Sequence, residues 1–133
     1  MTIIGIEFAG SQMNYVVVRY EDGGELKVLF ANRLSLRDTR SPDSLRAFQQ
    51  AVQTLQQETS PTVIAIKDKP ESGAMQAGAA ALKMEGIVLA NAPCQTRFIS
   101  GARINKCEIV PTASLKAYHH LAFRVAACAA LDR

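Results

Sequence analysis

The sequence contains no tryptophan, few aromatic residues and only three cysteines, Cys94, Cys107 and Cys128. An odd number of cysteines without a Cys-x-x-Cys pair indicates neither a disulfide framework nor a zinc site, so we expect three reduced thiols, with Cys128 packed in an apolar helix. No apolar run approaches the roughly 20 residues that cross a bilayer, which predicts no membrane partner. The N-terminus lacks the basic flank and long apolar stretch of a secretory signal. These absences predict a cytoplasmic protein.

A strong excess of one charge is also missing, because the formal net charge is only +3. Residues 1–66 carry a net charge of −1, whereas residues 67–133 carry +4. The basic second part is compatible with a polyanionic partner, although it is less dense than the basic surface of a dedicated nucleic-acid binder. A chain of 133 residues without linkers or repeats predicts a single domain, residues 1–133.

The first part of the chain has the pattern of an antiparallel meander. Residues 2–8 (TIIGIEF) form a short apolar run, which is typical of a strand buried on both faces. Residues 13–20 and 25–33 are rich in β-branched and aromatic side chains and predict two further strands. Turns are indicated at residues 9–12 and at the Gly-Gly pair of residues 21–24.

The pattern then changes to alternating helices and strands. Ser41-Pro42-Asp43 indicates a helix start, and apolar residues at helical spacing continue to about Glu58. The remaining predicted elements are a strand at 62–67, a helix at 72–84 ended by Gly86, a strand at 87–91 and a helix from Pro111 to Leu131, with 94–110 left open as a loop with a short helix or strand. This order predicts an α/β fold with a five-stranded mixed sheet, in which an antiparallel meander is continued by two parallel strands and flanked by three helices.

The first two strands carry a resemblance to a known family. Ile3-Ile4-Gly5-Ile6-Glu7-Phe8-Ala9-Gly10-Ser11, followed by Val16-Val17-Val18, resembles the opening of RuvC-type Holliday-junction resolvases, where a strand ends in an acid before a Gly-Ser turn. Thr62–Lys67 looks like their fourth strand, and Leu115–Leu131 looks like their last helix. The chain is also similar to the wider RNase H-like superfamily, including actin-like ATPases, and to small uncharacterised bacterial proteins of this fold. The resemblance implies an RNase H-like fold.

The same resemblance implies which residues should carry chemistry. Nucleases of this fold use two divalent cations, held by acids from the first strand, the fourth strand and the last helix. Here Glu7 occupies the first position, Lys67 the second, and Lys116 and His119 the positions in the last helix. A positive charge at a metal position costs several kcal/mol at an effective dielectric constant of about 20. We therefore expect an eroded metal site, in which Glu7 and Lys67 form a partly buried ion pair.

An alternative keeps the metal. Glu7, Asp68 and His119 could hold Mg²⁺ or Mn²⁺, with Glu71 as a spare acid, although a strand that points Lys67 inward points Asp68 to the opposite face. His119 and His120 are about 100° apart on a helix, so we expect one near the site and the other at the surface or a partner.

Three functions remain open at this stage. The first is a non-catalytic binding module that forms a homodimer, needs no cofactor and binds nucleic acid or a protein partner. Its binding residues would be Gly10, Ser11, Lys67, Lys116 and His120. The second is a divalent-metal-dependent nuclease of the RuvC type with Glu7, Asp68 and His119 as catalytic residues and Glu7 and Asp68 as metal ligands. The third is a small-molecule or nucleotide-binding protein that uses the cleft at the strand ends. The amides of the Gly10-Ser11 turn could bind phosphate there, as in actin-like relatives.

Overall fold

The central feature of the fold is a five-stranded mixed sheet with the strand order β3-β2-β1-β4-β5. The computed structural model describes residues 1–21, 23–70, 72–73, 77–111 and 114–131. Strand β1 pairs antiparallel with β2 and parallel with β4, β2 pairs antiparallel with β3, and β4 pairs parallel with β5. The elements are β1 Thr2–Ala9, β2 Gln12–Tyr20, β3 Leu26–Ser35, α1 Pro42–Thr59, β4 Val63–Lys67, α2 Ala79–Ala90, β5 Gln95–Ile99, α3 Gly101–Asn105, a 3₁₀ helix Ala117–His119 and α4 His120–Leu131.

The meander and the first crossover match the sequence prediction. Strands β1 and β2 are joined by the two-residue turn Gly10-Ser11, in which Gly10 has a φ of 59°. Helix α1 begins where its cap residues predict, because the Ser41 hydroxyl accepts a hydrogen bond from the backbone N–H of Ser44 at 3.2 Å. The helix ends at Ser60, which adopts a left-handed conformation with a φ of 46°.

Helices cover both faces of the sheet. On one face, α1 and α2 bury side chains such as Phe48 and Met84 against Ile4 and Ile6. On the other face, α3 and α4 cover a second apolar cluster that includes Ile3. Apolar side chains therefore alternate between two cores along each central strand, as expected for a sheet buried on both sides.

Helix α4 lies unusually close to β1, and Gly5 is the reason. A Cβ atom on Gly5 would lie 2.2 Å from the carbonyl oxygen of Ala122 and 2.7 Å from the Cβ of Ala126. Alanine is the main residue of the buried face of α4. The absent side chain on the strand and the small side chains on the helix together allow their backbones to meet.

The second crossover differs from the sequence prediction. Residues 87–91 were expected to form the fifth strand, but α2 continues through Gly86 to Ala90. The strand lies instead in the segment left open, at Gln95–Ile99, and is followed by the short helix α3. The apolar run enters α2 because Met84 and Val88, four residues apart, face the same core.

Two predicted helix starts also shift. Helix α2 starts at Ala79 rather than at residue 72, and residues 74–76 of the predicted helix lie outside the described residues. The last helix begins at His120 after the 3₁₀ turn, and not at Pro111; residues 112–113 of that prediction are not described. Lys116 therefore precedes the helix on which the resemblance placed it. The predicted fold class is confirmed, with α3 added to the three longer helices.

The helices were also compared with what a membrane-spanning helix requires. No helix of the described ranges combines the length and the apolar character that crossing a bilayer needs.

Candidate functional site

Glu7 lies at the carboxyl end of β1, on the face of the sheet that α4 covers. Ile3 and Gly5 contact the α4 layer, so the alternation of the strand brings Glu7 to the same side. The glutamate is half-buried. In the parallel register Ile6 pairs with Ile66. The next residues, Glu7 and Lys67, therefore lie side by side on the same face, at the ends of β1 and β4. The sequence correctly predicted that these two residues share one end of the sheet.

The partner of Glu7 is Asn14 rather than Lys67. Asn14 lies directly opposite Glu7 in the antiparallel register, is almost completely buried, and places its Nδ2 3.5 Å from the Glu7 carboxylate. Glu7 and Lys67 both lie in the described ranges, and no direct salt bridge joins them, so the expected ion pair is not formed as a direct contact. The amide of Asn14 thus supplies an uncharged donor to the carboxylate.

Arg33 continues this chain of contacts toward the last helix. Its Nε donates a hydrogen bond to Asn14 Oδ1 at 3.1 Å. The guanidinium carbon lies 3.6 Å above the centre of the Tyr118 ring, which is a close cation–π arrangement. Asn14 thus connects a carboxylate to a guanidinium group, since its Nδ2 faces Glu7 and its Oδ1 faces Arg33.

His119 is the buried member of the histidine pair. It is 4% exposed, whereas His120 is exposed to solvent. Its Nε2 donates to the carbonyl of Asn32 at 3.0 Å, and its ring lies 4.4 Å from that of Tyr118. Burial lowers the pKa of His119 below its ordinary value of 6.5; the Asn32 carbonyl opposes this shift, while the charges of Arg33, Lys116 and His120 add to it. The structure separates the two histidines as the sequence predicts.

The buried histidine predicts a pH dependence of stability. We expect the free energy of unfolding to decrease as the pH falls through 6.5, because the unfolded chain then takes up a proton at His119 that the folded protein resists. His119→Gln keeps a donor for the Asn32 carbonyl and should show a smaller decrease. Urea unfolding at about pH 5 and about pH 7.5 measures this. His120→Gln is the control: it removes the smallest of the charge effects and leaves His119 buried, so most of the pH dependence should remain. An undiminished pH dependence in His119→Gln would contradict the assignment.

Positive side chains surround the end of β1. Lys69 donates a hydrogen bond to the carbonyl of Phe8, the residue after Glu7. Lys116 places its Nζ 5.8 Å from the centre of the Tyr118 ring. Together with Arg33 and Lys67, these residues bring four positive charges to the end of the sheet that holds Glu7. We call Arg33, Lys67, Lys69 and Lys116 the basic cluster.

The remaining residues predicted from the sequence lie at the border of the basic cluster. The Gly10-Ser11 turn is exposed just beyond Glu7, and the Ser11 carbonyl accepts a hydrogen bond from the backbone of Leu36 at 2.9 Å. Asp68 is exposed, and its backbone N–H donates to the Ile99 carbonyl. Glu71 lies outside the described residues.

Comparison with known proteins gives a family but no activity. A family model described as "Protein of unknown function (DUF3010)" matches residues 1–129. The chain belongs to the DUF3010 family. No protein of curated function matches the sequence.

Solved structures similar to this DUF3010 protein include Holliday-junction resolvases. Thermus thermophilus RuvC matches with a TM-score of 0.74 and 14% identity over 99% of this chain and 97% of its own. The same protein in complex with a Holliday-junction substrate matches with a TM-score of 0.75 and 14% identity over 96% and 92%. The yeast mitochondrial resolvase Ydc2 matches with a TM-score of 0.59 and 11% identity over 96% and 75%. At these identities the likeness establishes a RuvC-like, RNase H-like fold.

The residues of the DUF3010 protein do not fit the divalent-metal centre that this fold implies. Within the described ranges, no group of three or more histidine, cysteine, aspartate or glutamate side chains is placed to hold a metal ion. Glu7, Asp68 and His119 therefore do not assemble the expected alternative ligand set. The Glu7 carboxylate faces the N–H end of an amide, and lysines end or follow β4 where a hard cation would need oxygen ligands. The catalytic and binding roles assigned from the sequence stay predictions.

Sequence reasoning missed Asn14, Arg33, Lys69 and Tyr118. Asn14 was within reach, because a two-residue turn at Gly10-Ser11 pairs Ala9 with Gln12 and hence Glu7 with Asn14. Arg33 was not, because an irregularity between Val17 and Val18 shifts the β2–β3 register by one residue, and counting from the turn would place Asn32 opposite Asn14. Tyr118 gave no such signal, since its position depends on how the 3₁₀ turn packs on the sheet.

Proposed function

We propose that this DUF3010 protein is a non-catalytic RuvC-like module that binds branched nucleic acid with its basic cluster. The observation that carries the proposal is the charge at the carboxyl ends of β1 and β4. There the Glu7 carboxylate contacts the neutral Asn14, and the four cationic side chains of the basic cluster lie at the same end of the sheet.

The geometry favours phosphate over a metal ion as the ligand. Lysine and arginine side chains bind backbone phosphates without reading sequence, and they release condensed counterions when they do so. The ring of Tyr118 supports the Arg33 guanidinium on one face, while Asn14 accepts from its Nε. Arg33 is also exposed to solvent, and a guanidinium group can donate two parallel hydrogen bonds to a phosphate.

The fold supplies the second support. RuvC of Thermus thermophilus, which shares the fold over almost the whole chain, has been solved in complex with a Holliday-junction substrate. We propose that the DUF3010 protein retains such binding, while its Glu7 does not support hydrolysis.

Binding and cleavage can be measured in one experiment. Fluorescence anisotropy with a labelled four-way junction, a duplex and a single strand, between about 50 and about 200 mM salt, should show binding that weakens steeply with salt. Gel analysis of the same mixtures with Mg²⁺ or Mn²⁺ should show intact DNA. Glu7→Gln should bind at least as well as the wild type, since it removes a negative charge that lies next to the basic cluster.

Two results would contradict the proposal. Metal-dependent cleavage that Glu7→Gln abolishes would establish the nuclease instead. If none of the three DNA substrates shows salt-dependent binding, the protein does not bind nucleic acid in this way. That result would favour the protein-partner or small-molecule function.

A homodimer and a cytoplasmic location belong to the same proposal. A homodimer would place two basic clusters on one junction, since symmetric oligomers present identical surfaces in pairs. Sedimentation of the free protein and of its junction complex would give both stoichiometries.

A further inference from the structure

A second cluster of reactive side chains lies away from Glu7, where α3 ends beside α4. Cys107 and Cys128 both line a groove of about 560 Å³ between the segment after α3 and the last turns of α4. The Cys107 N–H donates to the Ile104 carbonyl at 3.1 Å, which fixes the turn that brings Cys107 to the groove. Cys128 is buried, and its Sγ donates to the Arg103 carbonyl at 3.5 Å.

The two thiols interact with each other. Both cysteines line the same groove, and Cys107 lies close enough to Cys128 to affect its pKa, as do the guanidinium groups of Arg103 and Arg124. Burial and then the neighbouring Cys107 raise the pKa of Cys128 to about 11, while the two arginines oppose the shift. Cys107 is half-buried, so it is the thiol that a molecule entering the groove reaches first.

We propose that Cys107 and Cys128 form a reversible dithiol–disulfide site that reacts with small-molecule disulfides. The Cys107 thiolate attacks one sulfur of the incoming disulfide, a mixed disulfide forms, and the other half leaves as a thiolate. The Cys128 thiolate then attacks the Cys107 sulfur and displaces the second half. The protein loses two electrons and two thiol protons, and the disulfide becomes two thiols.

The surroundings of Cys128 favour the second step once the first has occurred. In the mixed disulfide, Cys107 carries no charge and no S–H group, so it no longer opposes ionisation of Cys128. Arg103 and Arg124 remain and stabilise the thiolate. Burial of Cys128 still opposes its ionisation, but without the contribution of Cys107 the thiol ionises more readily than in the reduced protein and can attack the mixed disulfide.

Cys94 provides an internal control. It packs against the core on the opposite face of the sheet, where α1 and α2 lie, and burial raises its pKa. Its thiol has neither a second cysteine nor an arginine among the causes of its shift. The two flanking charges and the second sulfur distinguish the Cys107–Cys128 site.

The test uses the folded wild-type protein and oxidised glutathione. After incubation, the remaining thiols are alkylated in denaturant and the peptides are analysed by mass spectrometry. We expect complete loss of two alkylatable thiols, a Cys107–Cys128 cross-linked peptide lighter by two hydrogens, alkylated Cys94, and full reversal by a dithiol reductant. Cys94→Ser should behave like the wild type, and Cys107→Ser should keep Cys128 reduced.

Other outcomes would overturn the proposal. These are a stable glutathione adduct on Cys107 that Cys128 does not resolve, a cross-link that involves Cys94 or a second molecule, and three thiols that stay unreacted. Because the wild type alone gives these results, a variant that fails to fold does not affect the conclusion. No nucleic acid is present, so the result is independent of the proposed function.

Discussion

Gly5→Ala should lower the free energy of unfolding by about 3 kcal/mol or more, which is the largest single-site effect we expect on stability. The added Cβ would meet the Ala122 carbonyl oxygen at 2.2 Å and the Ala126 backbone nitrogen at 2.9 Å. Backbone atoms cannot rotate away as the end of a long side chain can, so α4 must move from β1. Total stabilities of such domains are about 5 to 15 kcal/mol, and the variant should lose a large part of its own.

Gly86→Ala is the matched control for this substitution. Gly86 lies inside α2, and a Cβ there would meet nothing within 4 Å. Alanine in a helix interior is favoured over glycine by up to about 1 kcal/mol, so this variant should be neutral or more stable. Urea unfolding of both variants measures the difference, and equal stabilities would show that α4 does not lie as close to β1 as described.

Neutralising the basic cluster should weaken junction binding by roughly 10²- to 10³-fold at low salt. The variant Arg33→Gln, Lys67→Gln, Lys116→Gln removes three positive charges and lowers the formal net charge from +3 to 0. Each phosphate contact contributes about 0.9 to the slope of log affinity against log salt, so the slope should fall by up to about 3. Lys69 is left unchanged because it holds the Phe8 carbonyl.

A variant with the same net charge separates the local effect from the general one. Arg40→Gln, Arg46→Gln, Lys83→Gln also removes three positive charges, on or near the α1 and α2 layer at the other face of the sheet. It should bind within a few-fold of the wild type. Equal losses in the two triple variants would show that the basic cluster is not the binding surface, and circular dichroism of each variant confirms that it is folded.

The sequence predicted those elements whose local signals agree with their packing. The meander follows from β-branched strands and glycine turns, and α1 follows from Ser41 and Pro42. The fifth strand was misplaced because residues 87–91 are apolar and β-branched, a local preference that core packing of Val88 against the sheet overrides. The true β5 has one fully buried residue, Ile99, and so carries little pattern.

In the candidate site, only the contacts that follow from strand pairing could be predicted from the sequence. Glu7 and Lys67 were paired correctly in position, because parallel strands bring their carboxyl ends together. Their contacts were not, since Asn14 competes for the carboxylate from the other side. The stacking of Arg33 on Tyr118 joins β3 to a turn more than eighty residues later, and no local signal encodes it.

Helix α4 has a consequence for the protein while it is being synthesised. Together with the five-residue α3, it covers a whole apolar face of the sheet, yet it is the last element in chain order. All five strands are complete before residues 120–131 leave the ribosome. Until then the nascent chain exposes the apolar face of the sheet that α4 later covers, and exposed apolar surfaces of this kind promote aggregation.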